Sequence, residues 1–423
     1  MSEQEAQAGR GFLATLLLIT FVMNMLARGV PETFAVFLLP VQEGLGLSRA
    51  EVTLTYSVYM LAYGLSAPFA GQLIDRLGAR ATYVFGLTAM GVGYVAAGSA
   101  PGLWQYLLAA GLLGGIGSAS LGVIVASALL SRWFTSRIGT MVAVPYAAIG
   151  AGMLAFPPVT QLLLSSTDWR TTYRVLGIAV LAVVPLMLVA PLKRMSAGSV
   201  EWQRLRRQAA ASAAGPWRVS TAMRTGAFWG LFAAYLSTSM AAYSVLPHSV
   251  AYLVERGFDP LLSASAFGLT GALSVVGILG IGWLSDRFGR LQMATLSYII
   301  TILGITALIG VSFWPSLLLL YTFVLLFGLM QGARGPIIVA LVATLFPGGG
   351  VGAIYGTLSL AMGLGAALGS WLSALFFELT GSYVASFALA ITGALLGMST
   401  FWVVRSLREE TLAPAPLREP PKA

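Results

Sequence analysis

The 423-residue sequence contains no cysteine, a single histidine and only 9% charged residues. Without cysteine there is no disulfide, no thiolate nucleophile and no Cys-ligated zinc or iron–sulfur centre. One histidine, His248, leaves too little material for a protein-only metal site, so no metal and no cofactor are expected. The shortage of charge excludes more. Soluble domains carry roughly 25% charged residues, whereas this chain is 57% hydrophobic with a mean hydropathy of +0.85. Such a chain cannot clothe a water-facing surface, but a bilayer removes that requirement. A cleavable signal is also missing: Glu3 and Glu5 stand where a basic region would precede the first apolar run, so that run reads as a retained span.

A membrane helix needs about 20 mainly apolar residues. Between polar breaks, that rule predicts twelve spans near Phe12–Pro40, Val52–Ile74, Ala81–Ala97, Leu103–Leu130, Gly139–Leu164, Tyr173–Leu192, Thr225–Leu253, Ser263–Ser285, Met293–Ser312, Ser316–Phe346, Gly352–Phe377 and Tyr383–Val404. The fold class is therefore an all-α membrane protein in two six-helix halves. Residues 1–192 form the first half, 193–224 a cytoplasmic linker, 225–405 the second half and 406–423 a cytoplasmic tail.

Of the 24 basic residues, 18 fall in the N-terminal segment, the even-numbered inter-span segments and the C-terminal tail, while only Arg49, Arg170, Arg174 and Arg256 fall in the odd-numbered ones. This is the positive-inside asymmetry, and it expects both termini in the cytoplasm of an inner-membrane protein. The net charge of +9 is then a topology signal, and nucleic acid is not an expected partner. The linker, Lys193 to Arg224, is basic and rich in alanine. It reads either as an amphipathic helix on the inner leaflet or as a solvated connection. The Pro-rich tail reads as disordered.

The halves share a motif. Gly71-Gln-Leu-Ile-Asp75-Arg76-Leu-Gly78-Ala-Arg80 follows span 2, and Gly282-Trp-Leu-Ser-Asp286-Arg287-Phe-Gly289-Arg290 follows span 8. Both read G-x-L-x-D-R-x-G at the equivalent turn, which indicates duplicated halves. The glycines permit a tight turn. The arginines anchor it, and Asp75 can accept from a helix N-terminus or from an arginine at the membrane edge. A plain hairpin with anchoring charges would not need the aspartate.

This loop resembles the signature of the major facilitator superfamily, and the resemblance covers nearly the whole chain. It implies twelve helices and a transporter rather than an enzyme. It also implies an inter-domain latch on Gly71, Asp75, Arg76, Gly78 and Arg80, with Asp286 and Arg287 as partial counterparts. Further segments resemble the monocarboxylate and oxalate/formate branch: Gly29 to Phe37, Arg132-Trp133-Phe134, Asp168-Trp169-Arg170 and Leu246 to Phe258. That branch usually carries a lysine where Glu32 stands and an arginine in helix 8; here Ser263 to Leu284 holds no charge.

Ionisable residues at membrane depth are costly and so point to function. Span 1 carries Arg28 and Glu32, span 10 carries Arg334, and His248 lies toward the outer end of span 7. In the family's fold, helices 1, 4, 7 and 10 line the central cavity. Arginine offers a fork of donors matched to carboxylate or phosphate, so one from each half suggests an anion site. Glu32 lies four residues beyond Arg28, on the same helical face, with Pro31 as a kink between them. A proton on Glu32 would free Arg28 for substrate. Asn24, Tyr146, Gln331 and Tyr355 complete the expected lining, each with a helix–helix hydrogen bond as its alternative. Structural alternatives stand beside each assignment: a kink-stabilising pair for Arg28–Glu32, carbonyl bonds in a broken helix for Arg334, and an end cap for His248.

The expected function is alternating-access transport of a small organic anion, a mono- or dicarboxylate, coupled to protons, by a monomer in the lipid bilayer. The rivals are an organophosphate exchanger, a drug/proton exporter and a non-transporting sensor. Span 5 reads Gly150-Ala-Gly152 and then Pro157-Pro158, which departs from the glycine–proline signature of drug antiporters.

Overall fold

The computed structural model describes residues 9–134, 138–199, 202–204, 218–346 and 351–412. Among these, nine stretches are long and apolar enough to cross a membrane unaided. They account for spans 1, 4, 5, 6 and 8 to 12.

The other three spans are concealed by continuity or by a break. Arg49–Ala97 holds 49 residues in two helices that meet at a kink; as a single straight helix it would run about 74 Å, more than twice a hydrocarbon core of about 30 Å. It turns back at Gly78, whose φ of 80° and ψ of 171° lie outside helical space in a region open essentially to glycine alone. Residues before Gly78 form span 2 and those after it span 3. Span 7 is divided into Gly226–Tyr243 and Leu246–Glu255.

Proline explains the breaks in the first span of each half. Span 1 runs Arg10–Glu32 and Phe34–Leu45. Pro31 has no N–H to donate to the carbonyl four residues back. That carbonyl, on Ala27, instead accepts from the Ser118 hydroxyl of span 4. In span 7 the prolyl break is Pro247, and the nearby Ser244 carbonyl accepts from Ser373 of span 11 at 2.7 Å. Both spans therefore read Pro followed by an ionisable residue: Pro31-Glu32 and Pro247-His248.

Span 10 is broken too. Leu317–Met330 ends and Gly335–Leu345 begins across a turn in which Gly332 has a φ of 78°. Span 4 passes through a π-helical stretch, Leu107–Leu113, before Gly114–Leu121 and Val123–Leu130.

Two departures from expectation concern the polar segments. The Pro-rich tail was expected to be disordered from its start, but Arg405–Leu412 is helical. Leu407 is fully buried there, against the site of Gly230, and Arg405 pairs with Glu409 at 2.7 Å. Residues 413–423 lie outside those described. The linker begins with a helix, Leu192–Ala197, whose Leu192 and Met195 are fully buried against the first six spans. Its middle, 205–217, lies outside the described residues.

Spans 2 and 11 pack together, as do spans 5 and 8, joining the first six spans to the last six. Bonds between these two sets lie at mid-depth and toward the end remote from the termini. Ser57 of span 2 donates to the Ala367 carbonyl of span 11 at 2.8 Å, and Arg49 reaches Glu255.

Candidate functional site

Span 1 bends beside its charged pair. Arg28 Nη2 donates to Glu32 Oε1 at 2.7 Å and to the Tyr243 hydroxyl of span 7 at 2.6 Å. The Tyr56 hydroxyl of span 2 donates to the second Glu32 oxygen at 3.1 Å. Glu32 is 2% and Arg28 11% exposed. A charge pair this deep persists only with such supporting bonds, because desolvation opposes it. The kink after Pro31 orients both side chains, and the Tyr59–Ser118 bond of 3.1 Å ties span 2 to the hydroxyl that caps Ala27.

Around this pair stands an aromatic wall. Tyr56, Tyr59 and Tyr63 recur at helical spacing on one face of span 2. Tyr56 lies 5.5 Å from Tyr59 and 6.1 Å from Tyr243, ring centre to ring centre. The Arg28 guanidinium lies 5.8 Å from the Tyr63 ring. These tyrosines were absent from the expected set, although their spacing at positions 56, 59 and 63 was a visible signal. From the other side, Tyr235 and Tyr355 share a hydroxyl bond of 3.0 Å. Tyr146 of span 5, expected as lining, is 38% exposed.

The remaining expected residues divide. Asn24 is buried, and donates its side-chain amide to the Thr20 carbonyl at 2.8 Å; its amide oxygen has no partner. Gln331 sits in the break of span 10, with its amide nitrogen 3.8 Å from Met153 Sδ of span 5 and its oxygen unpartnered.

Arg334 does not join Arg28. It is 3% exposed, donates to Thr301 Oγ1 at 3.0 Å and lies 4.5 Å over the Tyr298 ring. Both partners belong to span 9, which packs on spans 8, 10 and 12. The expected convergence of two arginines on one central space is thus not met in this conformation. The cause is local: the turn at Gly332 interrupts the helical register and points residue 334 into the last six spans.

His248 is fully buried. Its Nε2 lies 2.9 Å from the Ser370 carbonyl of span 11 and its Nδ1 3.5 Å from the Tyr383 hydroxyl. It fastens the broken span 7 to span 11.

At the termini's end, the repeated loop of the first half bonds to span 4, to the end of span 6 and to the start of the linker. Asp75 accepts from Arg132 Nη2 at 2.7 Å. Arg132 also donates to the Ser196 carbonyl at 2.7 Å, and its guanidinium lies 5.2 Å from the Trp202 ring. Ser196 accepts from the Ala79 N–H at 2.8 Å, which secures the turn at Gly78. Arg80 donates to the Ala190 carbonyl at 2.9 Å. Arg76 is exposed, and Gly71 has room for a methyl group. A cavity of about 690 Å³ opens beside this loop. Arg287 lies 5.7 Å from the Trp283 ring; the side chain of Asp286 lies outside the described residues.

A twelve-span bundle with an ion pair at mid-depth, bridged by a tyrosine from the other six spans, has the build of a membrane carrier. The Major Facilitator Superfamily model matches residues 17–332 and 274–423, and the chain belongs to that family. It is accordingly a multi-pass transporter and not an enzyme. It is 25% identical to an uncharacterised MFS-type transporter, YcxA, of Bacillus subtilis (strain 168), covering 89% of this chain and 91% of the relative. It is 26% identical to monocarboxylate transporter 13 of Rattus norvegicus, over 89% and 85% of the two chains. Among solved structures, a D-xylose-proton symporter superposes with a TM-score of 0.75 at 14% identity, covering 95% of this chain and all of the other. A bacterial homologue of the human lysosomal transporter Spinster, in an inward-facing and unoccupied conformation, gives 0.65 at 15% identity, over 96% of this chain and all of the other. These two structures speak to the fold.

Proposed function

We propose that this transporter carries a small organic anion, a mono- or dicarboxylate, across the inner membrane together with protons. The observation that carries the reading is the Arg28–Glu32 pair, held at mid-depth between the halves by Tyr243. Arginine alone keeps a fixed positive charge there, and Glu32 neutralises it while the carrier is empty. Protonation of Glu32 releases Arg28 to bind a carboxylate. Substrate and proton then leave together when the pair re-forms. The relative named monocarboxylate transporter 13 supports the same substrate class.

In this reading Arg28 is the anchor, and Asn24, Tyr146 and Gln331 offer polar atoms to the anion. Arg334 braces the break of span 10 in this conformation and assists the anion when the halves rearrange. His248 holds the wall behind the site. Residues 1–192 and 225–405 rock as two halves joined by the 193–224 linker. The basic asymmetry of the loops makes the termini's end cytoplasmic, so the Arg49–Glu255 pair closes the outer end. In the opposite conformation the loops at Gly71–Arg80 and Asp286–Arg287 form the latch. The transporter acts as a monomer.

The test is thermal stabilisation of the purified protein across a library of mono-, di- and phospho-anions, followed by uptake into proteoliposomes under an imposed pH gradient. Carboxylates should stabilise the wild type and accumulate in the vesicles when the outside pH is acid. Stabilisation by phosphate esters alone would replace this reading with organophosphate exchange.

A further inference from the structure

The end remote from the termini is closed around one residue that is not part of the substrate cluster. Arg49, in the first turn of span 2, has a side chain only 5% exposed. Its Nη2 donates to Glu255 Oε1 at 2.6 Å and its Nη1 to Glu255 Oε2 at 3.2 Å. The same Nη1 donates to the Tyr383 hydroxyl at 2.8 Å. The guanidinium also lies 4.2 Å from the Phe377 ring and 5.5 Å from the Tyr383 ring. All three partner residues, Glu255, Tyr383 and Phe377, belong to the last six spans or their connections. Among the described residues of the first six spans, its hydrogen-bond partner is the neutral Gln42 amide oxygen, at 3.1 Å.

A second carboxylate reinforces the seam. Glu378 of span 11 accepts from the Ala50 N–H at 2.7 Å. The first N–H groups of span 2 lack intrahelical partners and carry the positive end of the helix dipole. Ser48 and Glu51 cap part of that terminus from within span 2, and Glu378 takes a further N–H from across the interface. Two carboxylates of one half therefore hold the first turn of span 2 in the other.

We infer that Arg49 is a positioning residue for transport: its bidentate pair with Glu255 is the lock that holds the remote end closed and biases the resting carrier toward the conformation seen here. Opening that end separates Arg49 from its counter-charge, both aromatic faces and the Tyr383 hydroxyl in one step. Such a bistable seam sets an equilibrium between two states, and weakening it shifts the population toward the open one. The inference rests on alternating access but not on the identity of the substrate.

The absence of cysteine makes the test clean. Ser57, 4% exposed and bonded across the seam to Ala367 and Ser370, is replaced by cysteine as a reporter. Its reaction with a membrane-impermeant maleimide is timed in sealed vesicles with the remote end outward. Arg49→Gln and Glu255→Gln should each raise the labelling rate by about tenfold, the effect of losing one charge-assisted pair of about 1.4 kcal/mol. Because both variants remove one shared bond, the double variant should label no faster than the faster single variant. Arg49→Lys, which keeps the charge but not the fork, should fall between. If Arg49→Gln does not fold, Glu255→Gln carries the test alone. Unchanged labelling in the neutral variants, or fully additive effects in the double variant, would overturn the assignment.

Discussion

Arg28 of span 1 and Tyr243 of span 7 are joined by a 2.6 Å hydrogen bond that links the two sets of six spans at the level of the buried charge pair. The same guanidinium nitrogen bonds Glu32 at 2.7 Å. The ion pair is therefore also an inter-half contact, and any change in its protonation acts on the seam as well as on the site.

Tyr243→Phe tests that linkage. Losing one hydrogen bond to a charged group costs about 1.5–3 kcal/mol, while the ring packing stays. Transport should slow by roughly tenfold, with the expressed protein still folded and monodisperse. An unaltered rate in a proteoliposome assay would show that the bond is incidental to the cycle.

Glu32→Gln removes the counter-charge but keeps a side chain able to bond Tyr56. A buried arginine left without its partner is destabilised by about 3–5 kcal/mol. An anionic substrate restores that charge balance. The variant should therefore gain more thermal stability from substrate than the wild type does. It should lose accumulation driven by a pH gradient and retain substrate exchange.

The two arginines separate by the same logic. Arg334 is packed over Tyr298 within the last six spans, whereas Arg28 faces the other half. Arg28→Met should abolish substrate-dependent stabilisation. Arg334→Met fills the space over Tyr298 and should leave much of that stabilisation, with a smaller loss of transport. The reverse order, measured by ligand titration of both variants, would return the anchor to Arg334.

Gly78→Ala places a side chain at φ 80° and ψ 171°, a cost of about 1–3 kcal/mol. The new methyl would also lie 3.2 Å from Ser196 Oγ, the atom that accepts from Ala79. Thermal unfolding should begin earlier, and the Asp75–Arg132 pair should loosen. A midpoint equal to that of the wild type would mean that the turn tolerates another backbone path.

Much of the architecture was legible in the sequence because it follows from local rules. The span lengths, the prolyl bend at Pro31 and the i,i+4 approach of Arg28 and Glu32 all depend on residues within one or two helical turns. The helical spacing of Tyr56, Tyr59 and Tyr63 is equally local. What lay beyond reach was set by distant partners. Arg49 meets Glu255 from 206 positions away, and Arg28 meets Tyr243 from 215. Arg334 was misdirected for another reason: a positive-φ glycine two residues earlier resets the direction of its side chain, and periodicity does not carry across such a break. His248 shows the same limit. Its place after Pro247 is plain, but only the packing of span 11 assigns the Ser370 carbonyl as its partner.

The account is tested most directly by counting protons. Purified protein in weakly buffered solution is mixed with a stabilising carboxylate, and proton uptake is followed with a pH dye in the wild type and in Glu32→Gln. The account predicts uptake approaching one proton per bound anion in the wild type and none in the variant, with the anion bound in both. Equal proton uptake by the two proteins would contradict it, because the proton would then be carried by a group other than Glu32.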